Sequence, residues 1–156
     1  MPVKRIIIGA DHAGFPLKEA VKPYLTGLGW TVTDVGTASL DPVDYPVFGA
    51  EVAARVSTGE FARGILICGS GVGMTVMANK FPRIRAALCL DEDTARMSRL
   101  HNDANVLCLA GRKTDPEMAE KIIQVWLKTA FAGGRHLRRI EKIKDIEEQL
   151  CQPRRS

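Results

Sequence analysis

The chain lacks the usual marks of a membrane, secreted or zinc-binding protein. No apolar run approaches the roughly 18 residues of a membrane-spanning helix. The opening Met1-Pro2-Val3-Lys4-Arg5 has no signal-peptide layout. Four cysteines, Cys68, Cys89, Cys108 and Cys151, stand far apart without a CxxC pair, which argues against a zinc site or a disulfide framework. Aromatic residues make up only 6% of the chain, and no nucleic-acid-binding motif accompanies its formal charge of +4. These absences lead us to expect a cytoplasmic protein with no membrane or nucleic-acid partner and no bound metal.

What is present suits an ordinary globular protein. Of 156 residues, 46% are hydrophobic and 26% charged, enough for one well-filled core. We expect a single domain over 1–150 and a frayed basic tail over 151–156. The basic residues concentrate late, in Arg135-His136-Leu137-Arg138-Arg139 and Arg154-Arg155. A small anionic ligand plus a solvated tail accounts for that excess. Cys89 and Cys108 fall within apolar runs, where a thiol acts as a small hydrophobe.

Short apolar runs alternate with helical patterns. Strands are predicted at Arg5–Ala10, Thr31–Gly36, Gly64–Cys68, Arg85–Leu90 and Asn105–Ala110. Helices are predicted near Phe15–Leu28, Pro46–Ser57, Met74–Lys80, Asp93–His101, Pro116–Ala130 and Leu137–Gln149. Asp115-Pro116 reads as an N-cap with proline at the first helical position. The alternation implies an α/β protein: a three-layer α/β/α doubly wound sandwich around a five-stranded parallel sheet. The expected strand order is the flavodoxin-like 2-1-3-4-5.

In such sheets ligands bind beyond the carboxyl ends of the strands. The third strand ends at Cys68, and Gly69-Ser70-Gly71-Val72-Gly73 then leads into a helix. A thiol beside amides at a helix start favours the thiolate and a neighbouring anion. The loop is not GxGxxG, is not followed by Gly-Lys-Ser/Thr, and has Met74 where a Cys-x5-Arg phosphatase needs arginine. It is left as a general oxyanion or phosphate cradle. The first strand ends near Asp11 and His12; Asp11 is either a functional carboxylate or a helix cap. His101, in Leu100-His101-Asn102-Asp103, is an acid/base candidate in a segment that also reads as a helix-ending turn. Arg135, Arg138 and Arg139 form either a phosphate grip or a solvated face, and Arg112 after the fifth strand strengthens the former.

Several segments together resemble the B type of ribose-5-phosphate isomerase, in a family that includes allose- and galactose-6-phosphate isomerases. They are Gly9-Ala10-Asp11-His12-Ala13-Gly14-Phe15, Asp44-Tyr45-Pro46, Ile67 to Gly73, Ala78-Asn79-Lys80, Arg85-Ala86, Ser98 to Asp103 and Gly133-Gly134-Arg135-His136. The likeness runs in order from about residue 4 to 150. It implies aldose–ketose isomerisation of a sugar phosphate without metal or cofactor. By resemblance, Cys68 is the base moving a proton between C1 and C2, His101 opens the furanose ring, and Asp11 assists. Ser70, where many relatives carry threonine, keeps a hydroxyl at the catalytic loop. The amides of Gly69, Gly71, Val72 and Gly73 hold the enediolate oxygens. His12, Arg112, Arg135 and Arg139 surround the phosphate, while Asn102 binds the sugar. Tyr45 and the Ser39–Asp44 loop are the candidate wall for substrate length.

The resemblance also implies a homodimer with sites shared between subunits, and leaves tetramers open. One branch of the family replaces the cysteine by a glutamate at the equivalent of Met74; here the thiol is present and Met74 cannot act as a base. Ribose 5-phosphate is the expected substrate, with a six-carbon sugar phosphate as the alternative. A non-catalytic sensor of phosphorylated sugars would need the arginines but not Cys68.

Overall fold

A computed structural model describes residues 2–153. Among them five strands and six helices alternate: β1 (Arg5–Ala10), α1 (Phe15–Gly27), β2 (Thr31–Asp34), α2 (Tyr45–Ser57), β3 (Gly64–Cys68) and α3 (Val72–Ala78). Then follow β4 (Ala86–Leu88), α4 (Glu92–Asn102), β5 (Val106–Ala110), α5 (Pro116–Lys128) and α6 (Arg135–Leu150). Of the tail expected at 151–156, residues 154–156 lie outside the described residues. No helix among the described residues is long and apolar enough to cross a membrane.

The strands form one parallel sheet, and alternation of side chains sorts its core into two layers. Ile6, Ile8, Ile65, Ile67, Leu107 and Leu109 pack with α1, α4 and α5. Ile7, Leu66, Cys68, Val106 and Cys108 face α2 and α3. β1, β3 and β5 are buried on both faces almost throughout, so they read in sequence as unbroken apolar runs. Asp115 caps α5 as expected, accepting from the Met118 N–H at 2.8 Å, and Asp91 caps α4 through the Thr94 N–H at 2.7 Å. α6 lies beside α4 and has no buried residue.

The strand order differs from the expected one. It is β2-β1-β3-β5-β4, with β5 beside β3 and β4 at the edge, rather than 2-1-3-4-5. The physical reason lies in burial. β5 has five consecutive buried residues, whereas β4 has only three, all half-buried. The strand with more apolar surface takes the position covered on both faces, and the short one takes the edge. β2 and β4 are shorter than expected, α3 starts two residues earlier at Val72, and α6 starts at Arg135.

Close approach of α1 to β3 depends on Gly14. A Cβ there would stand 2.3 Å from the Ile67 carbonyl oxygen. Backbone cannot yield as a flexible side chain does, so Gly14→Ala should push the start of α1 away from the sheet. We expect a loss of about 1–3 kcal/mol, read as a lower urea midpoint at unchanged m-value; a midpoint equal to wild type would contradict this packing.

Candidate active site

The carboxyl ends of β1, β3 and β5 are stitched together by backbone hydrogen bonds. The Asp11 N–H donates to Ile67 O at 3.3 Å, the Gly111 N–H to Cys68 O at 2.8 Å, and the Arg112 N–H to Gly69 O at 3.0 Å. These bonds gather Asp11, His12, Cys68, the glycine loop and Arg112 on one rim. Arg112 reaches this rim because β5 adjoins β3. The Cδ and a terminal nitrogen of Arg112 lie 3.4 Å from where a Cβ on Gly69 would sit. Tyr45 lies over the loop from the other side, its ring 2.6 Å from the position of a Cβ on Gly73. Any side chain at Gly73 would displace the ring.

Cys68 ends β3 at 5% exposure, under the loop. Gly71 adopts φ 77°, a left-handed conformation that turns the chain sharply into α3. Thr75 N–H donates to Gly71 O, closing the first helical turn, so the amides of Val72, Gly73 and Met74 precede the helical ladder. Ser70 Oγ accepts from the Val72 N–H at 3.3 Å. The loop therefore presents N–H groups beside a thiol, an arrangement suited to a developing oxyanion. Two other cysteines lie in the core. Burial pushes Cys89 up to about 11 and Cys108 up to about 12, so both remain protonated packing groups.

Asp11, 6% exposed, accepts from the Gly14 N–H at 3.0 Å through one carboxylate oxygen. It thus shapes the turn into α1 while standing on the rim. His12 Nδ1 accepts from the Val43 N–H at 3.1 Å, tying the β2–α2 loop to the same place.

His101, Asn102, Arg135 and Arg139 are elsewhere. α4 ends at Asn102, and Asp103-Ala104-Asn105 leads into the amino end of β5. Cys68 pairs with Ala110, at the opposite end of that strand. Four steps along β5 alone span about 13 Å, so one chain does not bring His101 to its own Cys68. The His101 segment is firmly held. Asp103 takes a left-handed φ of 46°, and its carboxylate accepts from Arg99 at 2.8 Å. Arg99 is 6% exposed and also donates to Ala104 O at 2.7 Å.

Against His101 stacks His136 of α6, with ring centroids 4.3 Å apart and planes 14° apart. Desolvation, with His101, Arg135 and Arg139 nearby, holds His136 below its ordinary value. The sequence signalled His136 only as a neighbour of Arg135 in the Gly-Gly-Arg-His segment. A groove of about 300 Å³ adjoins this cluster, lined in part by Arg85, Asn102, Ile140 and Ile143.

Comparison with known proteins shows the family of the chain. Residues 6–143 match the family described as Ribose/Galactose Isomerase. Ribose-5-phosphate isomerase B of Escherichia coli is 44% identical over 147 residues, 94% of this chain and 99% of that one. D-erythrulose-4-phosphate isomerase of Pectobacterium atrosepticum is 42% identical, over 92% of this chain and 95% of the relative. A structure of ribose-5-phosphate isomerase B from Clostridium thermocellum superposes with a TM-score of 0.91 at 48% identity, covering 94% of this chain and 99% of that one. In sequence and in fold, the chain belongs to the ribose/galactose isomerase family.

Proposed function

We propose that the protein interconverts ribose 5-phosphate and ribulose 5-phosphate through an enediolate, at sites built from two copies of the chain. The observation that carries the chemistry is Cys68 under the glycine loop, in a chain 44% identical to the E. coli enzyme. In the open-chain aldose, the Cys68 thiolate takes the C2 proton. The released electron pair forms the C1–C2 double bond, and the carbonyl electrons move to O1. Amides of Gly69, Gly71, Val72 and Gly73 receive the oxyanion, and Ser70 keeps the loop in shape. Returning the proton to C1, while the hydroxyl proton passes from O2 to O1, gives the ketose. Each well-placed donor in such a hole is worth roughly 3–4 kcal/mol in a comparable acyl-transfer enzyme.

Ring opening needs a group that takes the O1 proton and protonates the ring oxygen. His101 of a second copy fills that role, with Asp11 beside the ring oxygens. The opposite placement of Cys68 and His101 along β5 supports this reading. Arg135 and Arg139, one turn apart on α6, come with His101 and close on the phosphate opposite His12 and Arg112. Asn102 holds a sugar hydroxyl. Tyr45, against Gly73, bounds the length of substrate accepted. The family description names galactose and one relative acts on a four-carbon sugar phosphate. Assays with ribose, allose and galactose phosphates therefore decide chain length.

Cys68→Ala should fold as wild type yet lose isomerisation by at least about 100-fold, the usual scale of a general base. Wild-type enzyme run in D2O should incorporate deuterium at C2 of recovered aldose. Retained activity in the variant, or transfer without exchange, would remove the thiol-base mechanism.

Shared sites predict complementation. Cys68→Ala and His101→Ala proteins should each be nearly inactive. Refolded together, they should recover up to about a quarter of wild-type activity, because random pairing makes roughly half the dimers mixed, with one intact site of two. No recovery from verified mixed dimers would contradict independent sites built from two chains.

Phosphate contacts should separate from chemistry. Arg135→Ala and Arg139→Ala should chiefly raise KM, with a smaller fall in kcat. Steady-state kinetics with ribose 5-phosphate tests this, and an unchanged KM in both would leave those arginines as a solvated helix face.

A further inference from the structure

The loop from Gly36 to Asp44 is fixed at both ends to the rim that carries His12. At its start, Asp34 receives Lys18 at 2.5 Å and Lys22 at 2.8 Å through one oxygen. Its other oxygen accepts from the Gly36 N–H at 2.8 Å. Lys18 is 1% exposed, and its stem fills the space above Gly36. Burial raises the Asp34 carboxyl, but Lys18, Lys22 and the Gly36 amide outweigh it and hold the group below its ordinary range. The Thr37 N–H then donates to Ala10 O at 3.0 Å. At the far end the Val43 N–H reaches back to His12 Nδ1 at 3.1 Å, one residue before the start of the α2 cap. The loop thus leaves the β1 terminus at Ala10 and returns to it at His12.

A neutral imidazole has one N–H donor and one lone pair. An amide N–H can only donate, so the nitrogen facing Val43 must be the acceptor. That places the ring proton on Nε2, the nitrogen left for a ligand. A donor at Nε2 suits a phosphate oxygen; a lone pair there would repel it. We propose that the Val43 amide sets His12 as the Nε2–H tautomer, making the 36–44 loop a positioning element for anion binding. The ligand side of this inference rests on the phosphate role given to His12 above. The consequence is specific: the loop that borders the sugar also governs the grip on the phosphate, through one main-chain hydrogen bond.

The test begins with the wild-type protein free of substrate, labelled with nitrogen-15. The expected result is a through-hydrogen-bond coupling between the Val43 amide nitrogen and His12 Nδ1, with the ring proton on Nε2. A proton on Nδ1, or no coupling, overturns the proposal, whatever the enzyme's substrate proves to be. The second arm replaces Val43 by its α-hydroxy-acid counterpart, which turns the N–H into an ester oxygen and keeps the side chain. The dissociation constant for inorganic phosphate and the KM for ribose 5-phosphate should each rise roughly two- to ten-fold, the scale of one hydrogen bond. The change in kcat should stay within about two-fold. Unchanged phosphate affinity in that variant would overturn the positioning role. Phosphate titration needs no turnover, so it separates failure of this inference from failure of the proposed activity.

Discussion

The pairing of β5 with β3 is the constraint on which the site depends. Register sets Cys68 opposite Ala110, and the next amides continue the ladder past the strand ends, from Gly111 to Cys68 and from Arg112 to Gly69. That continuation holds the cysteine, the glycine loop and Arg112 in one rigid unit. Were β4 to lie between the two strands, Arg112 would be about 10 Å from the loop. A cation next to the glycine loop is therefore a product of strand order.

The same strand also separates the chemistry into halves. The thiol and its amides lie at the carboxyl end of the sheet, while His101, His136, Arg135 and Arg139 gather beside its amino end. Each half is internally well ordered. Gly71 and Gly111 hold the first by close backbone contacts, and Arg99 with Asp103 holds the second. The reaction proposed draws on both halves. The half with Cys68 carries one histidine, His12, whose Nδ1 accepts from the Val43 N–H.

Glycine and apolar β-branched residues do much of this work through packing alone. Gly14 lets α1 meet β3, and Gly73 leaves room for the Tyr45 ring. The isoleucines of β1 and β3 bury both faces of the central strands. Burial of this kind gives the rim its rigidity, and rigidity is what lets fixed amides stabilise charge without reorganising.

The sequence determined the elements themselves, because apolar runs, helical periods and caps are local signals. β1 and β3 begin and end where their patterns do, and Asp115 caps α5 as its Asp-Pro pair indicates. It also marked Cys68, Asp11, His101 and the arginines as chemical groups. Tertiary structure decided which of these meet. Strand order turns on a comparison of burial between β4 and β5 that no local pattern contains. Placement of Arg112 against Gly69, of His136 on His101, and of the Val43 amide on His12 joins residues distant in the chain. Those contacts arise from packing whole elements together, which depends on shape and burial across the molecule rather than on neighbouring residues.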